Sequence, residues 1–251
     1  MKKNLFFWVA FAGLLSVASC IKREIPIPPP VPPSGNDSTV SVNDTDQALI
    51  LRPDSTTGQD AYVSKLDTTP SYPDDGNVNL NWTHELVMSR WSLSQYNYDT
   101  ATQRSYIRFD SLARIPSTAT VTSAILYLYG ESSSITFPDG NSYYYGSYNP
   151  PNPVLVQQVV GGTWDQTTIT FDNAPALTSV GQDTIPASTT EWNYNAAVDV
   201  TNLVKNMVAS PSTNYGFGLR LVTENIYRDM VFGTCEVADS TKRPRLVVRY
   251  H

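Results

Sequence analysis

Cysteine and histidine are scarce in this 251-residue chain, which has two of each. Two cysteines cannot form the disulfide framework that small exported domains rely on. Catalytic nucleophiles and zinc sites usually need a nearby histidine, and only His84 and His251 are present. The sequence also has no GxSxG, HExxH, P-loop or CxxC motif. We therefore expect neither enzymatic activity nor a cofactor.

Positive charge and long apolar runs are also limited. Seventeen Lys and Arg stand against 23 Asp and Glu, a formal net charge of −6. Nucleic-acid binding requires clustered basic residues, so we expect no nucleic-acid partner. A membrane-spanning helix needs roughly 20 apolar residues, and the longest such run, residues 5–15, is too short. We expect no span in the mature chain.

The first 20 residues have the order of a bacterial export signal. Lys2 and Lys3 precede the apolar run, and small residues follow it. Val17-Ala18-Ser19-Cys20 then matches the lipobox, in which the cysteine takes a lipid and becomes the first mature residue. We predict a signal peptide at 1–19 and lipidation of Cys20, which leaves Cys235 as a buried free thiol. An ordinary secretory signal with a chance cysteine is the alternative.

The segment after Cys20 is typical of a tether. Residues 20–47 contain six prolines in their first half and are polar afterwards. Proline-rich chains adopt extended polyproline II structure of about 3.1 Å per residue. We therefore predict a lipidated linker over 20–47 that holds a domain away from a membrane. The expected location is the outer membrane, with its periplasmic or surface face left open.

Residues 48–251 have the pattern of an all-β domain. Short apolar stretches such as "ELVMSRWS", "AILYLYG", "TITFD" and "RLVVRY" are separated by turn residues. This predicts a β-sandwich of the jelly-roll kind. In "DVTNLVKNMVAS" the apolar residues recur with helical spacing, which predicts one short helix whose start Asp199 or Thr201 caps.

Six segments in order carry a family resemblance. They are "DAYVSK", "SYIRFDSLARIPSTATVTSAILYLYG", "TWDQTTITFDNAPAL", "VDVTNLVKNMV", "NYGFGLRL" and "RPRLVVRY". Over roughly residues 58–250 they resemble the DNRLRE-domain family, also classed as carbohydrate-binding module family 96. The family's eponymous hexapeptide is missing, and the link between the first two strands is longer than usual. The resemblance implies a jelly-roll that binds polysaccharide without catalysis. The family's association with alginate does not fit the acidic composition, so alginate is not carried over.

Aromatic and planar polar side chains are the candidates for sugar binding. Flat rings cover the apolar faces of sugars, and Arg or Asn supplies directed hydrogen bonds. Many of these residues lie in two loops, 94–103 and 136–153. Strand alternation places Arg90 and Trp91 on opposite sides and leaves open whether Trp91 is buried. The candidates are Trp82, Arg90, Trp91, Tyr96, Asn97, Tyr98, Tyr143, Tyr144, Tyr145 and Tyr148.

Other polar residues have structural interpretations. A structural calcium would use Asp54, Asp60, Asp74 and Asp75, although "PDDG" at 73–76 is also a turn motif. Trp164 is predicted to be a core residue, with Asp165 and Thr167 stabilising a turn.

Together these features predict a non-catalytic polysaccharide-binding lipoprotein at the cell envelope. The alternative is a structural or adhesion lipoprotein that binds a protein or matrix partner.

Overall fold

Two antiparallel β-sheets form this protein. The computed structural model describes residues 37–41, 46–68, 78–93, 98–142 and 151–251, all of which belong to one compact unit. The strands are β1 Ser38–Ser41, β2 Gln47–Leu51, β3 Gly58–Thr68, β4 Val78–Asn79, β5 Glu85–Ser92, β6 Tyr98–Phe109, β7 Val121–Leu128, β8 Val154–Val159, β9 Leu177–Ile185, β10 Ala196–Asp199, β11 Phe217–Leu221, β12 Arg228–Gly233 and β13 Arg245–Tyr250, and the helix is α1 Thr201–Ala209. The predicted all-β sandwich with one short helix is confirmed.

The first sheet has five strands in the order β1-β2-β13-β7-β10. Its central strand is the C-terminal β13, which pairs with β2 on one side and β7 on the other. The last strand of the chain therefore joins the N-terminal hairpin β1–β2 to the middle of the chain.

The second sheet has eight strands and divides at β6. Strand β3 pairs with β6 along one edge, from Gly58 opposite Phe109 to Thr68 opposite Tyr98. The other edge of β6 is shared, because β5 pairs with residues 100–103 and β11 with residues 105–107. Two branches leave this edge: β5 continues to β12, and β11 continues to β8 and β9.

The main hydrophobic core includes buried residues of both sheets and of α1. Each fully buried Leu, Ile, Val, Phe or Met side chain stabilises the fold by about 1.5–3 kcal/mol relative to its exposed state. Among its least exposed members are Leu49, Leu86, Met88, Ile107, Leu126, Leu128, Val156, Leu203, Phe217, Met230, Phe232 and Leu246.

Helix α1 contributes the apolar stripe that its sequence predicts. Leu203, Val204, Met207 and Val208 are its buried residues. The Asp199 carboxylate accepts a hydrogen bond from the Thr201 N–H at the start of the helix. Within the described residues, no helix combines the length and apolar character needed to cross a membrane.

A second apolar cluster joins β3, β6 and β8 to the segment after β8. It consists of Ala61, Val63, Tyr106, Val159, Trp164 and Ile169. The Trp164 indole N–H donates to the Tyr215 carbonyl at 2.8 Å, and Asp165 accepts from the Thr167 N–H at 2.8 Å. The core position of Trp164 and the turn at Asp165 are confirmed.

Three local features differ from the sequence predictions. The stretch "TITFD" is not a strand; the prediction was wrong because Asn173 accepts the Thr170 N–H and turns the backbone. Strand β9 was not predicted, since it is polar and mostly exposed. Residues 38–41, inside the segment predicted as a linker, form β1 on the edge of the first sheet.

Candidate functional site

A loop at residues 131–142 lies against one face of β5. This face carries Glu85, Val87, Ser89 and Trp91, whereas the opposite face sends Leu86 and Met88 into the main core. The buried Glu85 carboxylate accepts hydrogen bonds from the Ile135 N–H at 2.6 Å, the Thr136 N–H at 3.2 Å and the Thr136 hydroxyl at 2.6 Å. Glu85 therefore fixes the loop to the sheet.

The far end of the same loop is anchored to β12 and to the segment at 190–191. The Asn141 side chain accepts the Val231 N–H at 3.0 Å, and the Asn141 N–H donates to the Glu191 carbonyl at 3.0 Å. Gly140 has a φ of +73°, and an added Cβ would lie 2.7 Å from the Glu191 carbonyl oxygen. Only glycine suits this close approach, so the loop has a defined path.

Between this loop and the sheet lies a groove of about 790 Å³. Its volume falls within the roughly 300–1,000 Å³ of small-molecule sites. Strands β3, β5 and β6 provide the floor, where Leu66 and Trp91 both lie opposite Ala101. The lining residues are Ser64, Leu66, Val78, Leu80, Trp91, Leu93, Ala101, Gln103, Ile135, Thr136, Phe137, Pro138, Asp139 and Gly140.

Trp91 is the largest aromatic side chain in the described lining of the groove, and its ring contacts two described aromatic residues. Its ring meets the rings of Phe137 and Tyr227 edge to face, with centroid distances of 5.5 Å in both cases. Such contacts contribute about 0.5–1.5 kcal/mol beyond buried area. Trp91 is half-buried, and these two contacts fix its orientation.

Polar groups of the groove are few and mostly uncharged. The Ser89 hydroxyl donates to the Gln103 side-chain oxygen, which orients the Gln103 amide in the groove floor. The Thr136 hydroxyl hydrogen-bonds both Glu85 and the Tyr62 hydroxyl. Hydroxyl and amide groups beside apolar rings are the combination that a sugar requires.

Beside the groove, β12 buries a carboxylate without a hydrogen-bond donor. Asp229 lies opposite Ser89, and neither of its carboxylate oxygens has a hydrogen-bond partner in the described structure. Burial raises the pKa of Asp229 well above its ordinary value, and the negative charge of Asp139 raises that pKa further. Both effects favour the protonated, neutral form of Asp229.

The predicted sugar-binding residues do not all meet at the groove. Trp91 lines it, while Trp82 is 63 % exposed on a short turn after β4 and is not one of the lining residues. Arg90 lies on the opposite face, where it donates to Asp67 and Thr102. Outside the described residues lie Tyr96, Asn97, Tyr143, Tyr144, Tyr145, Tyr148 and the Tyr98 side chain.

The proposed calcium ligands are likewise not brought together. The Asp54 carboxylate accepts from Thr56 and Thr57 in a local turn, and Asp74 and Asp75 lie outside the described residues. Asp60 is buried beside Cys235 and Glu236, with one potential ligand atom of each within 4.8 Å of the others. Calcium takes six to eight oxygen ligands, so a set of two carboxylates and a thiol does not fit it.

Charge in this cluster is suppressed by burial. Burial raises the pKa of Asp60, the nearby Glu236 carboxylate raises it further, and the Cys235 N–H counteracts this by donating to Asp60 at 2.7 Å. Burial also raises the pKa of the Cys235 thiol far above its ordinary value. The predicted buried free thiol is confirmed, and because the thiolate is the reactive form of cysteine, its raised pKa disfavours reaction.

The fold is a two-sheet β-sandwich with a groove on one face, and comparison with protein families specifies its class. The model of carbohydrate-binding module family 96 matches residues 54–250. The chain belongs to this family, as the six sequence segments predicted. No curated protein matches the chain. A carbohydrate-binding module is a non-catalytic domain, in agreement with the expectation that the chain is not an enzyme.

Several groove residues escaped the sequence analysis. Leu66, Leu80 and Gln103 have the ordinary strand pattern, and nothing in it distinguishes a groove from a core. Phe137 and Asp139 belong to the loop over 136–153, in which only tyrosines were predicted to bind sugar. The sequence signal that could have located these residues is "TFPDG", the first part of that loop, where an aromatic residue is adjacent to a turn motif.

Proposed function

We propose that this chain is a polysaccharide-binding lipoprotein of the bacterial cell envelope and that the groove beside Trp91 is its glycan-binding surface. Membership of a carbohydrate-binding family gives the ligand class. The observation that carries the proposal is the half-buried Trp91 ring, which contacts Phe137 and Tyr227 and lines the same groove as the oriented Gln103 amide. One flat apolar face and one directed polar group meet within a single groove.

The tyrosine-rich segments join the chain close to this groove. Residues 94–97 directly follow the lining residue Leu93, and residues 143–150 follow the loop that ends at Ser142. This connectivity supports a role for Tyr96 and Tyr143–Tyr145 as further ligand contacts. A polymer in the groove would then have aromatic contacts beyond Trp91 itself.

Two tryptophans provide a matched test. We expect Trp91→Ala to weaken glycan binding about 30-fold or more, equivalent to the roughly 2 kcal/mol of a hot-spot residue. Trp82→Ala removes an equally large side chain from outside the groove and is expected to change affinity less than threefold. Affinity electrophoresis and a glycan array on the full-length chain would measure both.

A conservative variant separates ligand contact from loop structure. Trp91→Phe keeps an aromatic ring against Phe137 and is expected to restore part of the affinity that Trp91→Ala loses. Equal glycan binding by wild type and Trp91→Ala would contradict the assignment of the groove as the glycan-binding surface. An array without any glycan hit, together with a reproducible protein partner, would favour the adhesion alternative.

The envelope location has its own test. We propose that residues 1–19 are removed, that Cys20 carries lipid and that the proline-rich segment tethers the module to the outer membrane. The observation that carries this step is the Val17-Ala18-Ser19-Cys20 lipobox at the end of an export signal. Cys20→Ala is expected to move the protein from the membrane fraction to the soluble fraction. Unchanged membrane association would contradict lipid anchoring. It would not bear on the proposal that the domain binds carbohydrate.

A further inference from the structure

We infer that the groove selects uncharged polysaccharides and rejects uronic-acid polymers. This inference rests on the proposed function, because it specifies the glycan class for the same groove. The net charge of a chain does not settle such a question, since an acidic domain can still present a basic groove. Selectivity depends instead on where each charged side chain lies relative to the groove.

The described lining of the groove carries no cation. Among its fourteen lining residues the only ionisable side chain is Asp139, an acid. Two more carboxylates lie behind the lining: Glu85 holds the loop at Ile135 and Thr136, and Asp229 is buried next to β5. A uronate carboxylate in the groove would meet the Asp139 carboxylate and no lysine or arginine of the described lining.

The adjoining segments bring no cation either. Residues 69–77 connect β3 to β4, residues 94–97 connect β5 to β6, and residues 143–150 follow the loop over the groove. Their sequences are "TPSYPDDGN", "SQYN" and "YYYGSYNP", which contain two aspartates and no lysine or arginine. Whatever these segments contact, they add no positive charge.

Basic residues of the same strands lie on the other face of the sheet. Lys65 and Arg90 are both opposite Thr102, whereas Leu66 and Trp91 are opposite Ala101 in the groove floor. Arg90 is paired with Asp67 at 2.9 Å, Arg104 with Glu224 at 2.7 Å and Lys65 with Asp172 at 3.8 Å. Each of these cations is already neutralised by a neighbouring carboxylate.

What the groove does offer suits a neutral sugar chain. Its apolar side chains, among them Leu66, Leu80, Ile135 and Phe137, cover C–H faces, and Ser64 and Gln103 can exchange hydrogen bonds with hydroxyl groups. Desolvating a uronate against such a surface is costly without a paired charge. The groove therefore favours a polymer whose units carry hydroxyl groups alone.

The sharpest experiment compares polymers that differ only in charge. Polygalacturonate and alginate are each paired with their carboxyl-reduced forms, and neutral glucans, mannans and xylans complete the panel. We expect the full-length chain to bind at least one neutral polymer at least tenfold more tightly than any uronate polymer. Raising the salt concentration should weaken repulsion and reduce this preference.

Two charge variants test the cause. Asp139→Lys places a cation in the groove lining and should therefore improve uronate binding. We expect the ratio of neutral-polymer affinity to uronate-polymer affinity to fall by fivefold or more. Asp183→Lys makes the same change of net charge on β9, at the end of the other branch of the sheet, and is expected to leave the preference unchanged. Equal effects of the two variants would mean that net charge, and not the groove, determines selectivity.

The possible outcomes separate the two proposals. Uronate binding as tight as neutral binding, with loss in Trp91→Ala, would overturn the neutral preference and keep the polysaccharide-binding function. No binding to any polymer on the panel or on the glycan array would overturn both. Loss of neutral-polymer binding in Trp91→Ala, together with a reduced preference for neutral polymers in Asp139→Lys, would support both proposals.

Discussion

Replacing Glu85 with alanine is expected to release the loop that forms one wall of the groove. The wild-type carboxylate is 5 % exposed and accepts three hydrogen bonds, at 2.6, 3.2 and 2.6 Å, from Ile135 and Thr136. Glu85→Ala leaves two backbone N–H groups and one hydroxyl without this acceptor. The loop must then open to water or bury unsatisfied donors.

The size of the effect follows from these contacts. A hydrogen bond to a charged group contributes about 1.5–3 kcal/mol, and a buried donor left unpaired costs about 1–3 kcal/mol. Part of this is offset because the variant no longer desolvates a carboxylate. We expect a loss of about 3 kcal/mol in the free energy of unfolding, measured by urea denaturation followed by tryptophan fluorescence, and a parallel loss of glycan binding.

Asp54 provides the matched control. Its carboxylate also accepts three hydrogen bonds, at 2.9, 2.6 and 3.2 Å, but these lie near the surface in a local turn. Water can replace them, so Asp54→Ala is expected to cost at most about 1 kcal/mol. Equal destabilisation by the two variants, or a loss below 1 kcal/mol in Glu85→Ala, would refute the assignment of Glu85 as the anchor of the loop.

Two further predictions concern buried ionisable groups. Because the pKa of Asp229 is raised in the folded state, this carboxyl group binds a proton more tightly in the folded protein than in the unfolded chain, and its contribution to stability falls as the pH rises above about 4. Asp229→Asn is expected to match wild type near pH 4 and to be more stable by about 1 kcal/mol or more at pH 8; a pH-independent difference in urea denaturation would contradict this. The Cys235 thiol, buried and with a raised pKa, is expected to resist alkylation in the native protein at pH 8 and to react fully in denaturant, as measured by mass spectrometry; rapid native labelling would contradict its burial.

Much of the fold was predictable because its signals are local. The strand "ELVMSRWS" matches β5 at both ends, and the apolar spacing of "TNLVKNMVA" is the buried stripe of α1. The core position of Trp164 followed from its place in a family segment. In each case the residues that carry the signal are the residues that form the element.

The groove was less predictable because it depends on pairings between distant segments. The alternation in β5 predicted opposite faces for Arg90 and Trp91, yet it did not reveal which face the loop at 131–142 would cover. That face depends on Glu85 meeting Ile135, which lies 50 residues later in the chain. Strand β9 escaped prediction for another reason, because an exposed polar strand lacks the alternation that distinguishes strands from loops.

The division of the second sheet at β6 has an evolutionary consequence. Residues Ala101 and Gln103 of β6 contribute to the groove floor, whereas Ile107 and Phe109 of the same strand belong to the main core. Under the proposed function, ligand choice and folding depend on separate stretches of one strand. Substitutions in the first stretch are therefore expected to change glycan preference while the second stretch keeps the sandwich intact.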